Sequence, residues 1–247
     1  MVKQKKDIRL IALDMDGTLL NSNDKIPKEN REAIHCAHEK GVKVILSTGR
    51  HYHTSHKFAD ELGLSSYLIT GNGSEIWTTS GELIDRQLLD VALVEQLVGL
   101  HKKHQTWAWM ASTDKIWRGE IPDNLEDYEW LKFGFDTNDE ETKQLLMDEL
   151  SRNEQFELSN SSTTNIEVNA LGINKAVAIK KVCERMDIRM DQVMAVGDSL
   201  NDIKMIKEAG LGIAMGNAQE EVKKSADWVT SSNDDCGVAY AINHWVK

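Results

Sequence analysis

Two acidic residues follow a short apolar segment near the start of the chain. The segment from Ile8 to Leu13 ends at Asp14, and Asp16 lies two positions later, before Gly17 and Thr18. Side chains at positions i and i+2 of a strand point to the same side, so the two carboxylates are expected to converge if the extended conformation continues. Such a pair can hold Mg²⁺ or divide the roles of nucleophile and acid. The same residue types are also common in ordinary turns at strand ends.

The residues after the next apolar segment can bind phosphate. Ser47-Thr48-Gly49-Arg50 follows residues 42–46 and provides a hydroxyl, an open glycine backbone and a guanidinium. Groups of these types donate hydrogen bonds to phosphate oxygens. The alternative is a helix start, because Ser and Thr cap helices and Gly permits turns. The position next to the first strand favours phosphate binding.

A lysine and a second acidic pair occur late in the chain. Lys175 lies just before a helical pattern with an apolar stripe, where a cation opposes the helix dipole unless an anion binds there. A solvated lysine is the simpler alternative. Asp198, Asn201 and Asp202 follow the apolar residues 193–196, so an acid again follows a strand. N-capping of a helix explains the same pattern.

Together, these groups of residues predict one site. The carboxyl ends of parallel strands meet at one edge of a sheet, so the acids, the threonine and the lysine are expected there together. Asn72, between Gly71 and Gly73 after a further strand, is a secondary candidate at the same edge. A hard-metal site beside a phosphate cradle indicates phosphoryl transfer.

Alternating strand and helix patterns in both outer parts of the chain predict an α/β fold, with a parallel sheet wrapped by helices. The predicted strands are residues 8–13, 42–46, 67–70, 193–196, 211–215 and 227–230. The predicted helices are residues 28–40, 54–62 and 201–209.

The middle of the chain has a different pattern, which predicts an α+β insertion over residues 83–185. The predicted elements are a hairpin at 76–87 that turns at Ser80-Gly81, helices at 91–104, 124–131 and 140–150, and strands at 106–112, 115–118, 156–160 and 165–169. The insertion would divide a catalytic core into residues 1–82 and 186–247.

Composition argues against several classes of function. The 247 residues include 29 basic and 40 acidic ones, and the net charge of −11 argues against a general nucleic-acid or anionic-membrane surface. No segment approaches the length of a membrane span. Three separated cysteines lack any zinc-site spacing, so reduced thiols and a cytoplasmic location are expected. The sequence leaves the oligomeric state unspecified.

Two groups of ring-bearing residues carry weaker signals. Histidines cluster after Arg50 and are expected on the surface or at the site entrance, rather than in a metal site. These are His51, His53 and His56. Tryptophans concentrate in the insertion, where core packing and stacking on a substrate ring are both open. These are Trp107, Trp109, Trp117 and Trp130.

The ordered motifs resemble those of the haloacid dehalogenase superfamily, and their spacing is similar to that of its Cof-type branch. The motifs are Asp14-x-Asp16-Gly-Thr18, Thr48-Gly49-Arg50, Lys175 and Gly197-Asp198-x-x-Asn201-Asp202. The resemblance covers essentially the whole chain. It implies a Rossmann-like core with an α/β cap of the C2 type inserted between the second and third motifs.

The resemblance also implies catalytic roles. Asp14 would be the nucleophile that forms an aspartyl-phosphate, and Asp16 would protonate the leaving oxygen and later deprotonate water. Asp14, the backbone carbonyl of Asp16, and Asp198 would hold Mg²⁺. The residues implied to bind the substrate phosphate are Thr48, Gly49, Lys175 and Asn201. Those implied to support the site are Thr18, Arg50, Asn72 and Asp202.

The expected function is a Mg²⁺-dependent phosphatase acting on a small phosphorylated metabolite, such as a sugar phosphate or a phosphorylated cofactor precursor. A phosphomutase is the main alternative, although the insertion contains few arginines that could hold a second phosphate: Arg86, Arg118 and Arg152. A dehalogenase would not need Asp16 as a leaving-group acid. A phospho-aspartate signalling receiver would not need an inserted domain.

Overall fold

A computed structural model of the chain describes residues 7–246. Thirteen strands in this range form two sheets. The large sheet contains β1 (Leu10–Leu13), β2 (Lys43–Ser47), β3 (Tyr67–Thr70), β4 (Glu75–Thr78), β5 (Leu83–Arg86), β11 (Val193–Gly197), β12 (Leu211–Ala214) and β13 (Trp228–Val229). The small sheet contains β6 (Trp107–Ser112), β7 (Ile116–Arg118), β8 (Trp130–Asp136), β9 (Phe156–Ser159) and β10 (Asn165–Ala170).

The large sheet has the order β13-β12-β11-β1-β2-β3-β4-β5. The strands from β13 to β3 run parallel, and β4 and β5 extend the edge as an antiparallel hairpin. All four residues of β1 are buried, as expected for a parallel strand that is covered on both faces. Leu13 is in register with Leu46 of β2 and Val196 of β11. The residues that follow these three strands therefore leave the sheet side by side.

Six helices accompany the large sheet: α1 (Lys28–Glu39), α2 (Tyr52–Glu61), α5 (Lys175–Met186), α6 (Ile203–Glu208), α7 (Glu220–Ser225) and α8 (Gly237–Trp245). Their apolar residues join the buried core of the sheet. The predicted helix over 201–209 is divided, because a 3₁₀ turn at Leu200–Asp202 precedes α6. The structure adds α7 and α8 to the predicted elements. Within the described range, each helix is too short or too polar to cross a membrane.

The small sheet is antiparallel, with the order β7-β6-β8-β10-β9. Helices α3 (Val91–His104) and α4 (Glu140–Leu150) pack with it around a second apolar core. In β8, Phe133 and Phe135 belong to that core, whereas Lys132 and Asp136 line a cavity. This alternation follows from the two-residue period of a strand, and it gives the small sheet a polar face.

The helix predicted over residues 124–131 is wrong. The structure has a short 3₁₀ turn at Leu125–Asp127, and β8 begins at Trp130. The sequence Trp-Leu-Lys-Phe-Gly-Phe-Asp alternates in polarity after its second residue and is rich in aromatic residues, which favours a strand. The strand also has partners on both sides, β6 and β10, so sheet formation outweighs the local helix propensity.

The large sheet and its core include elements at both ends of the predicted insertion. β5 pairs with β4 in the large sheet, and residues of α5 pack in its core. The predicted boundaries at 83 and 185 assign both elements to the insertion. We propose boundaries nearer the ends of the second apolar core, which runs from Leu89 to Ala170. Below, "the insertion" means this segment.

Candidate active site

Asp14, Lys175 and Asp202 form a buried ionic cluster at the carboxyl end of the large sheet. Asp14 leaves β1 while its backbone N–H still donates to the carbonyl of Val196. Lys175 is the first residue of α5, and its side chain is completely buried. Its Nζ lies 2.5 Å from Asp14 Oδ1 and 2.7 Å from Asp202 Oδ1. The lysine at a helix start, which opposes the dipole, is thus compensated by two carboxylates.

Local backbone features bring α5 to this position. Asn174 is the N-cap of α5, and its side chain accepts a hydrogen bond from the N–H of Val177. Gly73, which follows β3, has φ +107°, and a Cβ there would lie 2.6 Å from the Asn174 carbonyl oxygen. Glycine is therefore required for the close approach of α5 to the loop after β3.

Asp202 is held by both of its oxygens. Its Oδ1 contacts Lys175, and its Oδ2 accepts hydrogen bonds from the backbone N–H groups of Asp198 (2.9 Å) and Ser199 (3.1 Å). Asp198 instead accepts from the hydroxyls of Thr18 (3.2 Å) and Ser199 (3.1 Å). Asp202 therefore orients the lysine and the loop, whereas Asp198 keeps more capacity for another ligand.

Three carboxylates crowd this cluster. One oxygen from each of Asp14, Asp198 and Asp202 lies within 4.8 Å of the other two. Burial, followed by the charge of Asp202, raises the pKa of Asp14 well above its usual range, and Lys175 only partly opposes this. The same two causes raise the pKa of Asp198 to about 7. Burial lowers the pKa of Lys175, but Asp14 and Asp202 outweigh it and raise that pKa overall.

The cluster fits a hard divalent cation. Its donor atoms are carboxylate oxygens, which Mg²⁺ prefers, and three carboxylates face one ammonium group. A bound cation would favour the ionised carboxylates and so oppose the rise that burial and mutual repulsion cause in the pKa values of Asp14 and Asp198.

Arg50, which the resemblance predicts as a supporting residue, holds the side chain of Asp16. Arg50 Nε donates to Asp16 Oδ2 at 2.8 Å, and Nη2 donates to Asp16 Oδ1 at 2.5 Å. Asp24 adds a longer contact of 3.3 Å. The bonds to Asp16 outweigh burial and raise the pKa of Arg50. Because the bidentate contact orients the Asp16 carboxylate, Arg50 controls where this side chain points.

Thr48 and Gly49 lie beside the cluster, as predicted for the turn after β2. Thr48 is completely buried, and its hydroxyl oxygen accepts from the backbone N–H of Arg50 at 3.1 Å. Its carbonyl accepts from the N–H of Asn72. Gly49 lines the cavity, and a Cβ there would lie 2.8 Å from Asn72 Oδ1. The glycine therefore keeps a narrow space open.

The two predicted asparagines contact each other. Asn201 Nδ2 donates to Asn72 Oδ1 at 3.3 Å, and Asn201 Oδ1 is buried without a hydrogen-bond partner among the described residues. Asn72 has φ 61°, a left-handed conformation that asparagine tolerates better than most residues. Its Nδ2 donates to Glu167 Oε2 at 2.5 Å. Asn72 thereby links the core to the insertion.

Sequence reasoning missed Lys132 and Glu167. Both side chains are buried, and Lys132 Nζ lies 3.3 Å from Glu167 Oε2. Burial lowers the pKa of Lys132, and Glu167 offsets this only in part. Burial raises the pKa of Glu167, but Lys132 and Asn72 outweigh it and lower that pKa overall. The available signal was a lysine among the aromatic residues of segment 130–136. The incorrect helix prediction for residues 124–131 obscured the strand on which this lysine lies.

A cavity of about 540 Å³ joins the cluster to the polar face of the small sheet. Residues from both sides line it, including Asp14, Asp16, Gly49, Lys132, Trp107 and Trp109. Trp109 lies across Gly134 of the neighbouring strand, where a Cβ would be 2.0 Å from its ring. The other two tryptophans, Trp117 and Trp130, pack in the core of the insertion. Core packing therefore applies to Trp117 and Trp130, whereas stacking on a substrate ring stays a prediction for Trp107 and Trp109.

His51 connects the core to the insertion. It is buried, it lines the cavity, and its Nε2 contacts the carbonyls of Ser112 (3.1 Å) and Thr113 (3.0 Å). Its Nδ1 accepts from the N–H of His53, which indicates the Nε2–H tautomer. Burial lowers the pKa of His51, consistent with a neutral ring that donates to backbone carbonyls.

The chain is similar to known proteins over nearly its whole length. The chain matches the family model of haloacid dehalogenase-like hydrolases over residues 11–127 and 118–242. It is 54% identical over 244 residues to 5-amino-6-(5-phospho-D-ribitylamino)uracil phosphatase YcsE of Bacillus subtilis strain 168, covering 99% of this chain and 98% of that protein.

Two solved structures have the same fold. A haloacid dehalogenase-like hydrolase from B. subtilis superposes with a TM-score of 0.89, at 25% identity, over 97% of this chain and 100% of that one. The HAD subclass IIB sugar phosphatase BT4131 gives a TM-score of 0.84 at 25% identity, over 96% and 98% of the two chains. The predicted fold class is therefore confirmed.

The prediction of a phosphatase acting on a small phosphorylated metabolite is also confirmed, because the similar proteins with assigned activities are phosphatases. The phosphomutase, dehalogenase and receiver alternatives receive no such support. The chain belongs to the haloacid dehalogenase superfamily, and it is a phosphatase of the Cof-type branch.

Proposed function

We propose that this chain is a Mg²⁺-dependent phosphatase that hydrolyses 5-amino-6-(5-phospho-D-ribitylamino)uracil or a closely related ribitylamino heterocycle phosphate. The 54% identity to the phosphatase that is named for this substrate supports the assignment. The site offers independent support. A cavity of about 540 Å³ lies within the usual range for small-molecule sites, and the half-exposed Trp107 is among its lining residues.

The contact between Asp14 and Lys175 is the observation that carries the reaction type. Lys175 favours the ionised form of Asp14, against the effects of burial and Asp202, and it fixes one carboxylate oxygen, so the other can attack phosphorus in line. The ester P–O bond breaks as the aspartyl-phosphate forms, and Asp16 gives a proton to the leaving oxygen. Water then attacks phosphorus while Asp16 takes its proton, which regenerates Asp14 and releases inorganic phosphate.

The other predicted residues have supporting roles in this proposal. Thr48, Gly49, Lys175 and Asn201 bind phosphoryl oxygens, and the unpartnered Oδ1 of Asn201 leaves that residue able to accept from a ligand. Asp14 and Asp198, with the carbonyl of Asp16, would hold Mg²⁺, which would neutralise charge between the carboxylate and the phosphate. Thr18, Arg50, Asn72 and Asp202 hold these groups in place.

The proposal also covers location and partners. We propose a cytoplasmic protein that binds a small phosphorylated metabolite and no nucleic acid. The net charge of −11 and the three cysteines without disulfide bonds support this.

Phosphate release tests the proposed function. The purified protein is incubated with Mg²⁺ and 5-amino-6-(5-phospho-D-ribitylamino)uracil, several sugar phosphates, or 4-nitrophenyl phosphate. We expect the ribitylamino substrate to give the highest kcat/KM, and EDTA to abolish release. A sugar phosphate with a higher kcat/KM would overturn the substrate assignment. Release that persists in EDTA would overturn the role of the metal.

A further inference from the structure

Lys132 is a buried cation that the catalytic scheme does not use. It lies on β8, the central strand of the small sheet, and its side chain is 4% exposed. Contacts among residues 7–246 give its ammonium group one hydrogen bond, to Glu167 Oε2 at 3.3 Å. Its Nζ also lies 4.6 Å from the centroid of the Trp109 ring.

These contacts do not satisfy the ammonium group. A lysine has three N–H donors, and a buried ion pair offsets the cost of desolvation only when the remaining donors have partners. One long hydrogen bond and one cation–π contact leave Lys132 with donor capacity to spare. Stability alone therefore does not explain a lysine here.

The position of Lys132 points to a ligand. A Cβ on Gly49 would lie 3.3 Å from Lys132 Nζ, so the ammonium group stands over the phosphate-binding turn after β2. Lys132, Gly49 and Asp14 line the same cavity. The cation thus faces the end of the cavity where the phosphate must lie for Asp14 to attack it.

Two other cations next to the aspartates, the buried Lys175 and the partly buried Arg50, are already engaged. Lys175 binds the carboxylates of Asp14 and Asp202, and Arg50 binds Asp16 through two nitrogens. A phosphate dianion entering beside four aspartates needs a further donor on its open side.

We propose that Lys132 is that donor: it binds an anionic oxygen of the substrate phosphate, so that the insertion completes a phosphate pocket which the core alone leaves open. Glu167, held by Asn72 and Ser161, fixes the ammonium group in this position. Lys132 is then a substrate-binding residue, and Glu167 is a positioning residue. The inference rests on the proposed function and deepens it.

Binding of inorganic phosphate tests this assignment without relying on turnover. The wild type and Lys132→Met are titrated with phosphate by calorimetry in saturating Mg²⁺. We expect the Kd for phosphate to rise roughly 10- to 100-fold, as for the loss of a charge-assisted hydrogen bond. Lys102→Met is the matched control, because Lys102 is an exposed lysine of the insertion. Its Kd should equal that of the wild type.

A second variant separates binding from packing. Lys132→Met leaves Glu167 buried without its cation, which can disturb the fold. Lys132→Met with Glu167→Gln removes that charge, so its melting temperature should recover while the Kd for phosphate stays raised. Recovery of phosphate binding in the double variant, or an unchanged Kd in Lys132→Met, would overturn the inference.

Measurements of turnover distinguish a wrong assignment of Lys132 from a wrong proposed function. If the wild type binds phosphate but hydrolyses none of the esters, the proposed function fails, and the Kd comparison still decides the role of Lys132. If the wild type is active and Lys132→Met has an unchanged Kd and kcat/KM, only the assignment of Lys132 fails. A fall in kcat/KM together with a raised Kd supports both.

Discussion

Asn72 Nδ2 donates a hydrogen bond to Glu167 Oε2 across the boundary between the two sheets, at 2.5 Å. Asn72 follows β3 of the large sheet, and Glu167 lies in β10 of the small sheet. Asn169 reinforces the junction by donating to the carbonyl of Gly71 at 2.9 Å. The junction is buried, so the position of the insertion is tied directly to the turns that form the active site.

Asp14→Asn should lower kcat by roughly 1,000-fold or more, because an amide is a poor nucleophile toward phosphorus. The melting temperature should not fall substantially, because the substitution also removes a carboxylate from a crowded acidic cluster. Phosphate release and thermal melting by circular dichroism measure the two effects. Asp123→Asn, at an exposed position, is the control. Near wild-type turnover by Asp14→Asn would refute the nucleophile assignment.

Lys175→Met should lower the free energy of unfolding by about 3–5 kcal/mol, because it leaves two buried carboxylates without their cation. Urea unfolding measures this change. Added Mg²⁺ should recover part of the loss, since it supplies positive charge to the same carboxylates. Lys180→Met, on an exposed position of α5, should change stability little. Equal stability of the two variants would contradict the ionic role of Lys175.

Arg50→Lys should lower kcat/KM by roughly 10-fold, because lysine cannot reproduce the bidentate contact that orients Asp16. We expect the loss to be greater for substrates with poor leaving groups, which depend most on protonation by Asp16. Steady-state kinetics with alkyl and 4-nitrophenyl phosphates measures this difference. Arg31→Lys keeps an exposed ion pair with Glu61 and serves as the control. An equal loss for both substrate types would argue against control of Asp16.

Gly49→Ala should raise KM by roughly 10-fold or more. Its Cβ would lie 2.8 Å from Asn72 Oδ1 and 3.3 Å from Lys132 Nζ, so one of these groups must move. Gly99→Ala is a useful contrast, because Gly99 lies within α3 and its Cβ would meet no atom within 4 Å. That substitution should leave KM unchanged and stabilise the protein by about 0.5–1 kcal/mol. A KM for Gly49→Ala equal to that of the wild type would show that substrate binding does not depend on the space beside Gly49.

Mg²⁺ should raise the melting temperature of the wild type and have little effect on Asp198→Asn. Binding to the folded state at 100 times Kd stabilises it by about 2.7 kcal/mol. Differential scanning fluorimetry over a Mg²⁺ titration measures the shift, with NaCl at matched ionic strength as one control. Asp191→Asn is the second control, because Asp191 forms an exposed ion pair with Arg189. A full Mg²⁺ shift in Asp198→Asn would exclude that residue as a ligand.

The sequence was sufficient to predict most of the large sheet. Fully apolar segments such as β1 specify buried parallel strands, and the polar residues that follow them then meet by topology alone. Lys175 could be proposed as a site residue for a different reason: its position opposes the helix dipole, which favours an anionic partner, although a solvated lysine was an open alternative. Local patterns and the rules of parallel sheets were enough for these residues.

Lys132 and Glu167 could not be predicted in the same way. They lie on β8 and β10, which are neighbours in the small sheet, so their meeting depends on which distant strands pair and in which register, and no local pattern specifies this. The contact of Arg50 with Asp16 also depends on side-chain directions within two turns, rather than on strand order. The start of β8 was predicted as a helix, which shows the limit of local propensity. Pairing with β6 and β10 makes this segment a strand.

The central position of β1 has a consequence for synthesis of the chain on the ribosome. Leu10 pairs with Lys43 of β2 on one side, but its partner on the other side is Val193 of β11. At about 5–20 residues per second, β11 is made roughly 10–40 s after β1. During that interval β1 presents an unpaired apolar edge while the insertion emerges and folds. The nascent chain therefore carries an exposed edge that can misassociate, at the strand that leads directly to Asp14.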